Sequence, residues 1–284
     1  FKVNDFLGLK KIEKKYKKNC DVFALIIEPY SASTTTAVNE KFLKKIVSFC
    51  NRNKIILIYD EIYTGWCKTG TTFYFQRYKN IYPDILTTSK SLGGGKASIA
   101  ACVMRKKIFN KVYGSISDAT LHSTTFNGFG EECVTAIEAI KILKKEKFNQ
   151  KAKMIEKHIN KRFNKLNEDH PSFNMKLRGA GGIQKIYFDL SKKSYELSIK
   201  KNFKKKYKNL FLLRKRLFEI ALIDTLYLKF NIFAFHSLNS LVISPSLIVQ
   251  KKQIDFVFFS LEKIFQLEPE SIIKDYLKRQ DINW

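Results

Sequence analysis

PDILTTSKSLGGG, residues 83–95, decides how this chain is read. A strand-like approach, DILTTS, runs into a single lysine, Lys90, and glycines follow at 93, 94 and 95. Taken alone, the stretch fits a surface loop as well as it fits a lysine whose amine does chemistry. Lysine is abundant in this chain, so the choice between them rests on what surrounds it.

On either side the pattern alternates. DVFALIIEP (21–29) reads as a buried strand stopped by Pro29, and NEKFLKKIVSFCNRNK (39–54) has apolar residues at 42, 43, 46, 47 and 49/50, one face of a helix. IILIYDE (55–61) reads as a second buried strand with carboxylates at its C-terminal end. DILTTS and ASIAACVMR read as further strands, and EECVTAIEAIKILKK (131–145) as an apolar-striped helix. Strand, helix, strand in this rhythm predicts an α/β fold, a mostly parallel sheet with covering helices. Ligands of such sheets lie outside the carboxyl ends of the strands, where Asp60 falls. Further on the texture changes to a long polar helix, RGAGGIQKIYFDL, a Lys-rich helix, a closing strand LVISPSLIV and a final helix near residues 252–265. The expected division is a large domain over 1–146 and a smaller α+β domain over 147–284.

Composition bounds the function classes. The chain has 284 residues, 45% of them hydrophobic, enough for a sizeable core. No apolar run reaches the roughly 20 residues that span a bilayer, and no signal-peptide pattern is present. The first residue is Phe1, so a fragment lacking its upstream part is expected. The five cysteines are scattered without a C-x-x-C pair, and the histidines lie far apart. Neither a disulfide framework nor a metal site is indicated, and a reducing, cytoplasmic compartment is the simplest expectation. The net charge of +26 invites a nucleic-acid reading. No nucleic-acid-binding signature supports a specific one, and the densest run, residues 200–216, reads as a solvated helix face.

Three groups of residues carry chemistry. Strand alternation places Asp60 and Ile62 on the same side. A buried strand-end carboxylate needs a cationic partner, whereas a helix cap or surface turn would leave Asp60 solvated. Lys90 follows Asp60 by 30 residues, about one helix plus one strand, which puts both on neighbouring strand ends. A lysine amine in a partly apolar pocket has a lowered pKa and attacks carbonyls. The glycines at 93–95 allow a sharp turn and close backbone approach. LHSTTFNGFG (121–130) is a hydroxyl-rich loop before a helix, suited to phosphate or to an ordinary N-cap.

Together DEIYTGWCKTG (60–70), PDILTTSKSLGGG and HSTTFNG (122–128) resemble the class III pyridoxal-phosphate aminotransferases, the ornithine, 4-aminobutyrate and putrescine type enzymes of fold type I. IIEP (26–29), LRGAGG (177–182) and LVISPSLIV (241–249) fall where that family has its remaining signatures. The resemblance implies pyridoxal 5'-phosphate as cofactor, held by Lys90 as a Schiff base, with Lys90 later moving the proton. It implies that Asp60 pairs with the pyridine nitrogen, that Ile62 packs on the ring and that Thr125 binds the phosphate across a homodimer interface. Glu28 lies at the strand-end glutamate near the site, and Arg178 and Gly179 match a structural Arg-Gly motif. The activity implied is transfer of an amino group from an amine or omega-amino donor to a carbonyl acceptor. A mutase, racemase or decarboxylase of the same fold, or a non-catalytic basic remnant, are the alternatives.

The departures from the family are specific. Tyr63 stands where glutamine is common and could touch the cofactor's ring oxygen. Val242 stands where glutamate-using members carry an arginine, and Ser33 where they carry its glutamate partner. Losing both charges together is electrostatically consistent. The upstream phosphate loop and the ring-stacking aromatic residue are not visible in these 284 residues.

Overall fold

A computed structural model describes residues 2–16, 22–190, 216–237 and 239–280. The chain divides into two compact units, one of Phe1–Ala32 with Thr36–Gln150, the other of Ser33–Thr35 with Lys151–Trp284. Among the described residues no helix is long and apolar enough to cross a membrane.

In the first unit, α1 (Phe6–Tyr16) precedes β1 (Ala24–Ile27), the short hairpin β2 (Tyr30–Ser31) and β3 (Thr36–Ala37), and α2 (Glu40–Asn53). Then come β4 (Ile56–Asp60), β5 (Ile85–Thr88), β6 (Ala101–Met104), α3 (Lys106–Val112) and α4 (Gly130–Lys145). The main sheet has the order β1-β4-β5-β6. Its first two pairings are parallel and β5–β6 is antiparallel, so the sheet is mostly parallel, as expected.

Helix α2 forms where the periodicity places it. Asn39 caps it by accepting from the Lys41 and Phe42 amides at 2.9 and 3.4 Å, and it ends at Lys54 in the left-handed region, φ 55°. Its stripe of Phe42, Leu43, Ile46, Phe49 and Cys50 packs with Leu57, Tyr59 and Leu86 of the sheet. The sheet is less enclosed than its apolar strands imply. Ile27, Leu57, Tyr59 and Leu86 are buried on the α2 face, while Ile56, Ile58 and Ile85 on the other are half-buried and Ile26 is exposed.

The second unit holds α5 (Phe148–Asp169), β7 (Met175–Ala180), β8 (Ile183–Phe188), α6 (Leu217–Phe230), β9 (Phe235–His236), β10 (Ser240–Ile243), α7 (Lys251–Ile264) and α8 (Pro269–Arg279), α5 beginning at the last residues of the first unit. The four strands form a sheet in the order β7-β8-β10-β9, antiparallel throughout. The polar α5 buries one stripe, Ala152, Ile155, Ile159, Phe163 and Leu166. RGAGGIQKIYFDL folds as the β7–β8 hairpin. Gly179 there admits no side chain, because a Cβ would lie 2.4 Å from the Ile183 carbonyl oxygen.

Several expectations need correction. LVISPSLIV is not one strand: β10 stops at Ile243, because Pro245 has no amide for the ladder. The final helix is followed by another, α8, started by Pro269 in its first turn. Strand alternation does not place Ile62 beside Asp60, since β4 ends at Asp60 and the chain turns there. The Lys-rich stretch 200–215 and Cys20 lie outside the described residues.

Candidate active site

The parallel register aligns three strand ends. Ile27 of β1 pairs with Tyr59 of β4, so Glu28 follows level with Asp60. Asp60 pairs with Thr87 of β5, and Lys90 comes three residues later. Glu28, Asp60 and Lys90 therefore leave the same edge of the sheet from neighbouring strands, the edge where such folds bind ligands.

Hydrogen bonds fix each side chain's approach. Asp60 Oδ1 accepts the Ile62 amide at 3.0 Å, an Asx-type turn that ends β4. Glu61 is fully buried and accepts from Thr64 Oγ1 at 2.7 Å, the Tyr74 amide at 2.8 Å and the Phe75 amide at 2.7 Å. Burial pushes its carboxyl above the usual range, while those three donors pull it back. Trp66 Nε1 donates to Thr88 Oγ1 at 2.7 Å, tying the loop after β4 to the end of β5. Ser89 Oγ donates to the Ile99 carbonyl at 2.7 Å. One turn of 3-10 helix, Lys90–Gly93, begins at Lys90, whose φ of 46° is left-handed and unusual for a side-chain-bearing residue.

The expected partly apolar pocket around Lys90 is not what these residues build: the side chain is exposed. Its Nζ stands 5.4 Å from the centre of the Tyr63 ring, a cation–π contact. Ile62 is half-buried and Tyr63 is exposed. Asp60, half-buried, has no cationic partner among the described residues. Glu28 feels it: burial first, then the charge of Asp60, raises the Glu28 carboxyl above its ordinary value, against the Ser31 hydroxyl and Ala32 amide. Two neighbouring carboxylates with no cationic partner among the described residues form a site suited to a positively charged ligand.

Thr125 lies in an exposed turn before α4. The loop does not cap that helix with a hydroxyl: the N-cap is Phe129, with no side-chain hydrogen bond. The glycines after Lys90 serve the turn and the packing of α4. Gly94 has φ 61°, and a Cβ on it would lie 2.9 Å from the Ala139 Cβ. The sequence reading gave Glu61 no role, although DE at a strand end was visible.

The family model for class-III aminotransferases matches residues 6–265. The chain belongs to the class III aminotransferase family. It is 32% identical over 185 residues to an adenosylmethionine-8-amino-7-oxononanoate aminotransferase of Buchnera aphidicola, a match covering 64% of this chain and 42% of that protein. It is 29% identical over 180 residues to a putrescine aminotransferase of Pectobacterium atrosepticum, covering 63% and 38%. The fold superposes on an S-selective transaminase from Arthrobacter sp. with alanine bound, with TM-score 0.75 and 19% identity over 92% of this chain and 54% of that one. It also superposes on the ornithine aminotransferase of Toxoplasma gondii, with TM-score 0.70 and 21% identity over 94% and 56%. The chain thus spans less than half the length of the curated relatives it matches.

Proposed function

We propose that this protein is a pyridoxal-phosphate-dependent aminotransferase that moves an amino group from an amine or omega-amino donor to a carbonyl acceptor. The observation that carries the reading is that Lys90, Asp60 and Glu28 leave one edge of a mostly parallel sheet, with no cationic partner for Asp60 among the described residues. The residues fit the cofactor: an exposed amine suits its aldehyde, and an unpaired carboxylate suits its protonated ring nitrogen. When bound, the cofactor supplies the carbonyl that takes up the amine and the ring that accepts electrons from the carbon losing its proton.

The chain's own residues then have distinct tasks. Lys90 Nζ would hold the cofactor, and the same amine would carry a proton to and from the reacting carbon. Asp60 holds the ring nitrogen protonated. Ile62 would pack on the ring, and Tyr63, whose ring already faces the Lys90 amine, would orient it. Glu28, pushed toward its protonated form, lines the same edge.

Thr125 binds the phosphate from a second copy in a homodimer. Exposed apolar residues around it support that surface: Ile116 is 95% exposed, Phe126 77% and Leu121 68%. Cys50, Cys67, Cys102 and Cys133 are free thiols, consistent with a cytoplasmic location. The test is amine transfer from putrescine to pyruvate by the full-length protein supplied with pyridoxal phosphate. Lys90→Ala abolishes transfer with an unchanged circular dichroism spectrum; retained transfer in that variant removes the reading.

A further inference from the structure

Helices α1 and α2 lie side by side in the first unit, and two aromatic pairs join them. Phe6 meets Phe42 edge-on at 5.1 Å and Tyr16 meets Phe49 at 5.5 Å, so the helices run in the same direction. Leu9, between them, is 2% exposed and belongs to the core. Over this apolar floor the two helices leave a groove of about 350 Å³.

The walls of the groove are cationic. Lys10 of α1 and Lys44, Lys45 and Arg52 of α2 line it, against one lining carboxylate, Glu13. Glu13 meets Arg52 only loosely, at 3.7 Å, and Lys44 is held at 2.7 Å by Glu40, one turn back on its own helix. Lys10 and Lys45 enter no ion pair among the described residues. Residues four apart on a helix are neighbours, which sets Lys10 beside Phe6. Lys45 Nζ stands 4.8 Å from the centre of the same Phe6 ring. Two ammonium groups without carboxylates thus flank one aromatic ring, both on exposed side chains open to a ligand. Like charges held together repel, and a bound anion removes that cost.

We propose that this groove binds a linear polyphosphate, either free or as the tail of a nucleoside triphosphate. The α2 cations run from Lys44 to Arg52, about 12 Å along the helix at about 1.5 Å per residue. A single phosphate reaches one end of that row, whereas a chain of phosphates follows it with several charges in a short span. Glu13 and Glu40 offset two of the four cations, so two positive charges remain for the ligand. A groove bounded by helices of 11 and 14 residues suits a compact anion better than a nucleic-acid duplex, whose charges continue past it. All the residues involved belong to α1 and α2, none to the sheet edge that carries Lys90.

The competing account is that a chain of net charge +26 attracts polyanions over its whole surface. Calorimetric titration of the full-length protein, saturated with pyridoxal phosphate and free of divalent cations, separates the two. Triphosphate, ATP and orthophosphate are titrated into the wild type, the groove pair Lys10→Gln/Lys45→Gln and a control pair, Lys161→Gln/Lys165→Gln. The control removes the same charge from exposed positions of α5. The proposal predicts one triphosphate site in the wild type, with orthophosphate at least about tenfold weaker. Triphosphate weakens about ten- to hundredfold in the groove pair, keeps its affinity in the control and recovers in Lys10→Arg/Lys45→Arg. ATP bound as tightly as triphosphate supports a nucleotide tail as the source; ATP left unbound supports free polyphosphate. No triphosphate binding, or an equal loss in both pairs, overturns the proposal. So does orthophosphate bound as tightly as triphosphate, which would mean an adventitious ion only. If the groove pair does not fold, Arg52→Gln, at the far end of the row, decides by the same comparison.

Discussion

Glu219 offers a sharp test of the electrostatics of the second unit. It sits in the first turn of α6, fully buried, and neither carboxylate oxygen has a partner in another described residue. Burial raises its pKa to about 7 from an ordinary 4.5, against a smaller opposing pull from its own backbone amide and the charge of Arg216. The native state therefore holds this proton more tightly than the unfolded chain. The stability it contributes is fully present below pH 4.5 and is lost as pH rises toward 7. The gap between those values corresponds to about 3 kcal/mol, at about 1.4 kcal/mol per unit. Glu219→Gln keeps the shape and removes the titration. Urea unfolding followed by far-ultraviolet circular dichroism from about pH 5 to pH 8 compares the two proteins. The variant gains on the wild type as pH rises and is the more stable by pH 8. A stability difference that does not change with pH refutes the reasoning.

Other residues near the candidate site give further expectations. Glu61→Ala leaves two backbone amides and the Thr64 hydroxyl without their acceptor. It should destabilise by about 3–6 kcal/mol, read as a lower urea midpoint. Gly94→Ala adds a Cβ 2.9 Å from that of Ala139 at a positive φ and should cost about 1–3 kcal/mol, read by thermal melting. Wild-type stability in Gly94→Ala would mean that α4 does not pack there as described.

Much of this arrangement was readable in the residues. The alternation of apolar runs marked β1, α2, β4 and β5 in order, and the parallel register then brings Glu28, Asp60 and Lys90 to one edge. Other features leave no mark on periodicity. Glu61 bonds amides 13 and 14 residues away, and nothing in local sequence announces that. Ile62 was misplaced because Asp60 ends its strand by accepting the Ile62 amide, a choice alternation cannot see. The direction of β6 is likewise not encoded in its own four residues. The break in LVISPSLIV and the start of α8 were legible, since Pro245 cannot join a ladder and Pro269 suits a first helical turn. The groove between α1 and α2 was hidden by its surroundings: in a chain with 52 basic residues, Lys10 and Lys45 look like any others until their helices are paired.

The central claim is that Lys90 is the amine that holds the cofactor. The most direct measurement incubates the full-length protein with pyridoxal phosphate, reduces with borohydride and maps the labelled peptide by mass spectrometry. A single label on Lys90, absent after incubation with excess putrescine, is the predicted result. A label spread over surface lysines, or a specific label elsewhere, contradicts the account.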